Sequence, residues 1–277
     1  MQWFCSFKAY GDLIIACNCL RKADLQKYGI LAGSHLRPLL NVIDFDGTTS
    51  IIEIGNNVPA LFDTKKCGYV NAFRNGLLLR SKIQLSVQQQ NDSFVFDSLG
   101  MRQRFLTWPY PVGAINMGSD NIYLDYARYL ELDDRCNIQS QNSEVKNPGR
   151  VYIFPDSRII HKVLPDWLVI EIAKENSKIG KKTILVKVGI PVPLPQFYSL
   201  QIQWVDGFDQ LMEQVHKADV LVSADSLPAH LAEYVGTPVF VFSPIPNDYW
   251  MPLSCFKKGC FSGFSSLTKY IDWISHF

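Results

Sequence analysis

The segment from residue 219 to residue 244 constrains the fold more than any other part of the sequence. Its apolar run over 220–222 predicts a buried strand, and a second, β-branched apolar run covers 237–242. Between them, Pro228 stands where the first turn of a helix accepts a proline, and Gly236 is a typical helix stop. The order strand, helix, strand predicts one unit of an α/β sheet, with the turn after the first strand at the amino end of the helix.

The turn between this strand and this helix carries polar side chains that suit an anionic ligand. Asp225 and Ser226 follow the strand, and His230 lies early in the helix. Free N–H groups and the helix dipole favour an anion there. This pattern indicates a phosphate held by backbone N–H groups and Ser226, with Asp225 accepting hydrogen bonds from ligand hydroxyls. The simpler alternative is that Asp225 or Ser226 caps the helix and that His230 is solvated.

The alternation of strands and helices runs through the whole second half of the chain. Apolar runs predict strands and periodic stretches predict helices, in the order strand 151–154, helix 165–176, strand 183–188, strand 200–205 and helix 208–217. Together with the segment above, this order predicts a parallel, doubly wound sheet. Ligands of such sheets bind at the carboxyl ends of the strands.

The first half of the chain has a weaker α/β pattern. The predicted strands are 4–7, 40–43, 51–54 and 94–96, and the predicted helices are 13–28, 70–80 and 121–132. Residues 135–150 are polar, contain turn formers and have no apolar period, which predicts a linker. We therefore expect two domains, 1–145 and 146–277. The tail, 265–277, predicts an amphipathic helix that closes the fold and could pack back on the first domain.

Composition excludes several functional classes. A net charge of +1 over 277 residues gives no long-range attraction to nucleic acid or to an anionic membrane. No apolar run approaches the roughly 20 residues that span a bilayer, and the N-terminus lacks the features of a signal peptide. These observations predict a cytoplasmic protein with at most peripheral membrane contact, with the inner face of the membrane as a further option. The seven scattered cysteines are typical of reduced thiols, although Cys17 and Cys19 with Cys255 and Cys260 could form a metal site.

Two further motifs carry charged groups at predicted turns. Gly11 and Asp12 open the first helix, where a carboxylate either caps the helix or acts as a general base toward an acceptor hydroxyl. Ser157, Arg158 and Lys162 follow the first strand of the second half, and they suit a diphosphate bound without a metal ion. The alternative for this second motif is a solvated basic loop.

One motif indicates a different chemistry. Asp44 and Asp46, in the stretch Val-Ile-Asp-Phe-Asp-Gly-Thr-Thr, resemble the first motif of the haloacid-dehalogenase-type phosphatases. There the first aspartate is the nucleophile and the second is a general acid. The pair is also an Asp-x-Asp signature of metal-binding glycosyltransferases, or simply a strand that ends in a glycine turn.

Taken in order, the motifs resemble the heptosyltransferase-like glycosyltransferases (family 9, GT-B fold). The block after the fourth strand of the second half matches at Asp225, Ser226, Pro228, His230, Leu231, Ala232, Gly236, Pro238 and Pro244. Two earlier blocks match at Gly11 and Asp12, and at Pro155, Ser157, Lys162 and Pro165. The clearest departure is Leu227, where the family has glycine. A second departure is Ser6, where the family often has Arg or Lys, and Lys8 is the nearest cation.

The resemblance implies two Rossmann-like domains that face a cleft, the first binding an acceptor and the second a nucleotide sugar. It implies inverting, metal-independent transfer with Asp12 as the base. Lys162 and the amides after Asp225 would neutralise the leaving diphosphate, and Asp225 would hold the sugar. The donor-binding set is Ser157, Lys162, Asp225, Ser226, Leu227, Pro228 and His230, and the secondary candidates are Gly11, Lys8 and Arg158.

The resulting hypothesis is a glycosyltransferase that builds a bacterial surface glycan. The default donor is ADP-heptose, the acceptor is lipopolysaccharide core or another glycan or glycolipid, and no cofactor or metal is expected. One alternative is a phosphatase that uses Asp44 and Asp46. The other is a non-catalytic nucleotide-sugar-binding subunit, which Leu227 motivates.

Overall fold

The computed structural model describes residues 1–53, 68–87, 92–132, 149–245 and 247–277. The chain forms two compact units, Met1–Cys136 and Asn137–Phe277. The predicted boundary between residues 145 and 146, and nearly all of the predicted linker, lie outside the described residues.

The first unit is built on a five-stranded sheet with the order β3-β2-β1-β4-β5. All four of its described ladders are parallel. Its strands are β1 (Gln2–Ser6), β2 (Tyr28–Gly33), β3 (Thr48–Ile52), β4 (Ser93–Phe96) and β5 (Val112–Ala114). Its described helices are α1 (Tyr10–Leu20), α2 (Arg37–Leu40), α3 (Tyr69–Ser86), α4 (Met101–Thr107) and α5 (Ile122–Tyr129).

The second unit is built on a six-stranded sheet with the order β11-β10-β9-β6-β7-β8, and its described ladders are also parallel. Its strands are β6 (Arg150–Phe154), β7 (Lys182–Val188), β8 (Gln201–Val205), β9 (Val220–Ala224), β10 (Val239–Phe242) and β11 (Phe261–Ser262). Its described helices are α6 (Asp166–Lys178), α7 (Phe208–Lys217), α8 (Leu227–Val235), α9 (Leu253–Lys258) and α10 (Thr268–Ser275).

The strands at the centre of the second sheet are apolar because helices cover both faces of a parallel sheet. Every residue of β9 and of β10 is buried. The α/β class predicted from the sequence, with two Rossmann-like units, is therefore confirmed. The strands and helices predicted for 151–242 are all present, and the bounds stated for them differ by at most two residues.

Two predictions in the first half are wrong. The helix predicted over 13–28 ends at Leu20, and Tyr28 begins β2, which the sequence analysis missed. The strand predicted over 40–43 is absent, because Arg37–Leu40 is a short helix with Pro38 in its first turn. A short apolar run such as 39–43 fits a buried helix end as well as a strand, and its periodicity does not separate the two.

The predicted closing helix is present as α10, and it packs within the second unit. The buried Tyr270 ring contacts the rings of Phe240 and Phe242 on β10. Its hydroxyl donates to Asn176 Oδ1 at 2.6 Å, and the Asn176 amide donates to Thr183 Oγ1 at 3.1 Å. This buried chain of hydrogen bonds connects α10 to α6 and β7. Within the described part of the chain, no helix has both the length and the apolar character that crossing a bilayer requires.

Candidate functional site

Two loops of the second unit meet because β6 and β9 are neighbours in the sheet. The strands pair in parallel, with Ile153 opposite Val222 and Phe154 opposite Ser223. The loops after Phe154 and after Ala224 therefore leave the same carboxyl edge. This register brings together the two predicted donor-binding motifs, which are far apart in the sequence.

The centre of this edge is an ion pair between Lys162 and Asp225. Lys162 Nζ lies 2.6 Å from Asp225 Oδ2, across a sequence separation of 63 residues. Asp225 is buried, and Lys162 is about one quarter exposed, with 27% of its side-chain surface accessible. Lys162 ends a short 3-10 turn, Ile160–Lys162, which fixes the position from which its side chain reaches the carboxylate. The two residues that the resemblance assigns to diphosphate and to sugar thus contact each other directly.

Ser226 connects α8 to the loop after β6. Its hydroxyl donates to the Asp156 carbonyl oxygen at 3.0 Å, and it makes no capping bond to the helix. Ser226 occupies the N-cap position of α8, but the simpler sequence interpretation, in which its side chain caps the helix, is wrong. Because the Ser226 side chain does not accept a bond from the first turn of α8, the amino end of this helix remains suited to an anion.

The site contains a second ion pair that the sequence analysis did not single out. The Asp156 carboxylate accepts from Lys187 Nζ and, at 2.9 Å, from the Val188 backbone N–H. Lys187 lies near the carboxyl end of β7, the neighbour of β6. The signal in the sequence was a lone lysine in the otherwise apolar run 184–188.

Leu227 is the first residue of α8, and Pro228 follows it in the first turn. Glu131 is the single non-glycine residue with a positive φ in the described ranges, so Leu227 does not adopt the left-handed conformation that requires glycine. Leucine in place of the family's glycine therefore does not strain the backbone. It adds a half-buried side chain at this position.

His230 is buried, which excludes the interpretation that it is solvated. Burial lowers the pKa of His230 to about 4; Asp225 acts in the opposite direction, and Lys162 lowers the pKa further. The ring is therefore neutral near pH 7, and it can take part in a site as a neutral donor or acceptor but not as a cation.

The remaining predicted donor residues lie in the loop after β6 or at the start of α8. Ser157 Oγ accepts from the Ile159 N–H at 3.3 Å, so it shapes the loop. Arg158 is exposed, and Pro228 is buried in the first turn of α8. All seven residues of the predicted donor set thus fall in these two neighbouring segments.

In the first unit, the predicted base lies at the carboxyl edge of the sheet. Asp12 is in the first turn of α1, directly after the loop that follows β1, and it is half-buried together with Gly11. Lys8, in the loop, is exposed, and Ser6 is buried at the end of β1. Because the Ser6 position is buried and uncharged, Lys8 supplies the positive charge at this edge.

Asp97 is a further acidic group at this edge, and the sequence analysis missed it. It follows β4, which pairs with β1 in parallel. Burial, and then the charge of Asp12, raise the pKa of Asp97 to about 7, while Lys8 and a hydrogen bond from Tyr126 lower it. The Tyr126 hydroxyl lies 3.4 Å from Asp97 Oδ1. The signal was a single acidic residue immediately after the apolar strand.

The Asp44 and Asp46 motif does not have the setting that a phosphatase requires. Both side chains are exposed, and both precede β3, so they lie at the amino edge of the sheet. The strand that should carry them to the opposite edge is absent.

In the part of the chain that the structure describes, no group of three or more His, Cys, Asp or Glu is placed to hold a metal ion. Cys17, Cys19, Cys255 and Cys260 are all buried.

Several solved structures similar to this chain are described as glycosyltransferases. The alignment with a glycosyl transferase family 9 structure from Veillonella parvula covers 95% of this chain and 86% of that chain, with a TM-score of 0.62 and 13% sequence identity. The alignment with the Escherichia coli heptosyltransferase WaaC with ADP covers 100% of this chain and 98% of that chain, with a TM-score of 0.62 and 11% sequence identity. The alignment with the E. coli ADP-heptose lps heptosyltransferase II covers 95% of this chain and 89% of that chain, with a TM-score of 0.53 and 15% sequence identity.

These similarities establish the fold. It is the GT-B fold of the heptosyltransferase-like family 9 structures, so the resemblance read from the motifs is confirmed at the level of architecture. Neither a protein-family model nor a curated protein sequence matches the chain.

Proposed function

We propose that this protein is a glycosyltransferase that moves a sugar from a nucleotide-sugar donor, bound by the second unit, to an acceptor hydroxyl. The observation that carries the proposal is the Lys162–Asp225 ion pair at the amino end of α8. It combines a cation for a diphosphate, a carboxylate for sugar hydroxyls and a helix terminus for an anion in one small region.

The donor diphosphate would compete with Asp225 for Lys162. When the diphosphate accepts hydrogen bonds from Lys162 and from the first turn of α8, the Asp225 carboxylate becomes available to the sugar hydroxyls. These groups stabilise the negative charge that develops on the diphosphate as it leaves. Such stabilisation needs no metal ion, so we propose metal-independent transfer.

Asp12 is the proposed general base. The acceptor hydroxyl gives its proton to the Asp12 carboxylate, and its oxygen forms a bond to the anomeric carbon. The bond from that carbon to the diphosphate breaks, and the leaving group keeps the electron pair. Attack on the face opposite the diphosphate inverts the anomeric configuration.

The proposed donor is ADP-heptose, and the proposed acceptor is lipopolysaccharide core or another surface glycan or glycolipid. The support is the likeness to WaaC, which is described with ADP and with ADP-2-deoxy-2-fluoro heptose. A cytoplasmic location, with the inner face of the membrane as the place of reaction, follows from this donor and this acceptor class.

The test is a thermal-shift panel of nucleotide sugars with wild-type protein and three lysine variants. A ligand at 100 times its dissociation constant adds about 2.7 kcal/mol to the free energy of unfolding. We expect ADP-heptose and ADP to raise the melting temperature of the wild type and of the control Lys174→Met, an exposed lysine on α6. Lys162→Met should lose most of the shift, and Lys162→Arg, which keeps the cation, should retain more of it.

Two results would overturn this proposal. One is a panel in which no nucleotide sugar shifts the melting temperature of the wild type. The other is a Lys162→Met variant with the full ligand-induced shift. Donor binding without transfer to any acceptor would instead support a nucleotide-sugar-binding subunit, the alternative that the Leu227 side chain favours.

A further inference from the structure

Helix α3 has an exposed apolar stripe that lies outside the hydrophobic core of the first unit. Its buried residues, Gly76, Leu79 and Ile83, form the side that packs into the first unit. Tyr69, Val70, Phe73 and Leu77 are exposed, with accessible fractions of 83%, 82%, 63% and 44%. Positions one, four and eight residues after Tyr69 lie on one side of a helix, so these four side chains form a continuous stripe.

Helix α4 and the residue that follows it extend this stripe. The Phe73 and Phe105 rings lie 6.2 Å apart, which places the two helices side by side. Met101 and Trp108 are exposed, with accessible fractions of 90% and 64%. The guanidinium of Arg80 lies 4.8 Å from the centre of the Trp108 ring and 5.3 Å from that of Phe105. Leu78 and Leu85 are exposed as well, but they lie on another side of α3. We name the following exposed apolar residues the α3–α4 face: Tyr69, Val70, Phe73, Leu77, Met101 and Trp108.

The two helices that form this face are strongly basic. They carry Arg74, Arg80, Lys82, Arg102 and Arg104, and neither helix contains an aspartate or a glutamate. Because the net charge of the whole chain is only +1, the rest of the chain has more acidic than basic residues. The positive charge is therefore concentrated on the two helices that carry the apolar stripe, and Arg80 contacts the rings of Phe105 and Trp108 there.

This combination fits the surface of an anionic bilayer. Aromatic and aliphatic side chains enter the boundary between headgroups and acyl chains, and the surrounding arginines contact lipid phosphates. Arginine also extends its own apolar stem along such a surface. Single-stranded nucleic acid would account for the cations and the rings, but not for Val70, Leu77 and Met101, which offer no aromatic face for a base. Charge complementarity and the mixed aliphatic and aromatic stripe favour lipid.

We propose that the α3–α4 face docks the protein onto membranes that contain anionic phospholipid. The docking is peripheral: the apolar side chains enter the interface, and the helices lie along it. This inference does not depend on the proposed function. If the proposed function also holds, docking would keep the first unit at the surface where a lipid-linked acceptor is found.

The experiment measures binding of the full-length chain to vesicles of phosphatidylcholine with and without phosphatidylglycerol, by co-sedimentation. We expect binding only to vesicles that contain phosphatidylglycerol, and a loss of binding at high salt because screening weakens surface electrostatics. Changing Arg74→Gln and Arg104→Gln should weaken binding about fivefold for each cation removed. Changing Tyr69→Ser together with Val70→Ser should weaken it about tenfold or more.

Matched controls separate this face from a general effect of surface residues. Tyr198→Ser with Ile190→Ser removes two equally exposed apolar side chains, 90% and 83% accessible, from the second unit. Lys174→Gln with Lys217→Gln removes two exposed cations from the same unit. Both control proteins should bind vesicles as the wild type does.

Several results would overturn the proposal. The first is equal binding to neutral and anionic vesicles, and the second is an equal loss of binding in the control variants. The third is a set of two observations. The wild type is dimeric in solution while the Tyr69→Ser/Val70→Ser variant is monomeric, and the two proteins bind vesicles equally well. The ADP-induced thermal shift of each variant distinguishes failure of this inference from failure of the proposed donor site, because it reports on the second unit.

Discussion

Lys162 and Asp225 show how the role of a residue depends on its partner. In the sequence they are a basic residue in a loop and an acidic residue in a turn, 63 positions apart. In the folded protein they form one ion pair with a mostly buried carboxylate. Removing one member of such a pair leaves an uncompensated charge, which costs more than the pair contributes. The pair therefore holds both groups in place, and under the proposed function the donor would supply their new partners.

Asp12 provides the sharpest prediction at the scale of single residues. Asp12→Asn should lower the rate of sugar transfer by about 10²- to 10⁴-fold, because the amide cannot accept the acceptor proton. The ADP-induced thermal shift should stay the same, since the change lies outside the second unit. Steady-state transfer rates and thermal shifts measure the two effects separately.

Asp24→Asn is the control for this prediction. Asp24 is a partly exposed carboxylate of the same unit that pairs with Lys27 at the surface. Its loss should leave transfer unchanged. Equal activity of the Asp12 and Asp24 variants would remove Asp12 from the mechanism.

At the scale of helices and strands, α10 is held in place by the buried hydrogen bonds of Tyr270. Changing Tyr270→Phe keeps the ring contacts with β10 and removes the bond to Asn176. The Asn176 side chain is fully buried, so it is left with an unsatisfied acceptor. We expect the free energy of unfolding to fall by about 1–3 kcal/mol in urea denaturation.

The exposed Tyr198 is the matched position for this change. Tyr198→Phe removes a hydroxyl that lies in solvent, so its stability should equal that of the wild type. If Tyr270→Phe is also as stable as the wild type, the buried hydrogen bonds do not hold α10.

The sequence predicted the second unit well because its signals agree with one another. The run 220–222 is apolar with two β-branched valines, Pro228 fits a first turn, and Gly236 adopts the left-handed conformation of a helix end, with φ of 91°. In the first unit the signals conflict. β2 contains glycine at both Gly29 and Gly33, which weakens a strand pattern, and it follows a helical stretch without a clear stop.

The sequence indicated which residues form the candidate site, but it did not indicate which of them contact one another. Local patterns indicated Lys162, Ser226 and Asp225, and the resemblance assigned roles to them. The Lys162–Asp225 bond, the Ser226 bond to Asp156 and the proximity of Asp97 to Asp12 depend on which strands are neighbours in the sheet. Strand order arises from long-range packing, which a local pattern does not contain.

At the scale of the whole molecule, the half-buried Asp97 and the buried His230 give stability opposite dependences on pH. The folded pKa of Asp97 is about 7, above the ordinary 3.8, so the first unit loses stability as the pH rises through that interval. The folded pKa of His230 is about 4, below the ordinary 6.5, so the second unit loses stability as the pH falls from 6.5 toward 4.

This pH dependence can be measured by urea unfolding between pH 4 and pH 8, with hydrogen exchange to separate the units. Asp97→Asn should flatten the profile of the first unit and His230→Asn that of the second, by on the order of 2 kcal/mol each. The exposed residues Asp120 and His216 serve as controls, because their substitution by Asn should leave both profiles as they are. Unchanged profiles in the Asp97 and His230 variants would contradict the assignment.

The parallel ladders of both sheets also set the order in which the chain can be completed. No two strands that pair in parallel can be joined by a tight turn, so each pairing waits for a crossover connection to be made. β1 lies between β2 and β4, and Gln2 pairs with Ser93. On a ribosome that adds about 5–20 residues per second, the first strand waits roughly 5–20 seconds for its second neighbour. During that interval the edge of β1 that will face β4 has no partner strand, and its unpaired N–H and C=O groups are the kind that pair with strands of other chains.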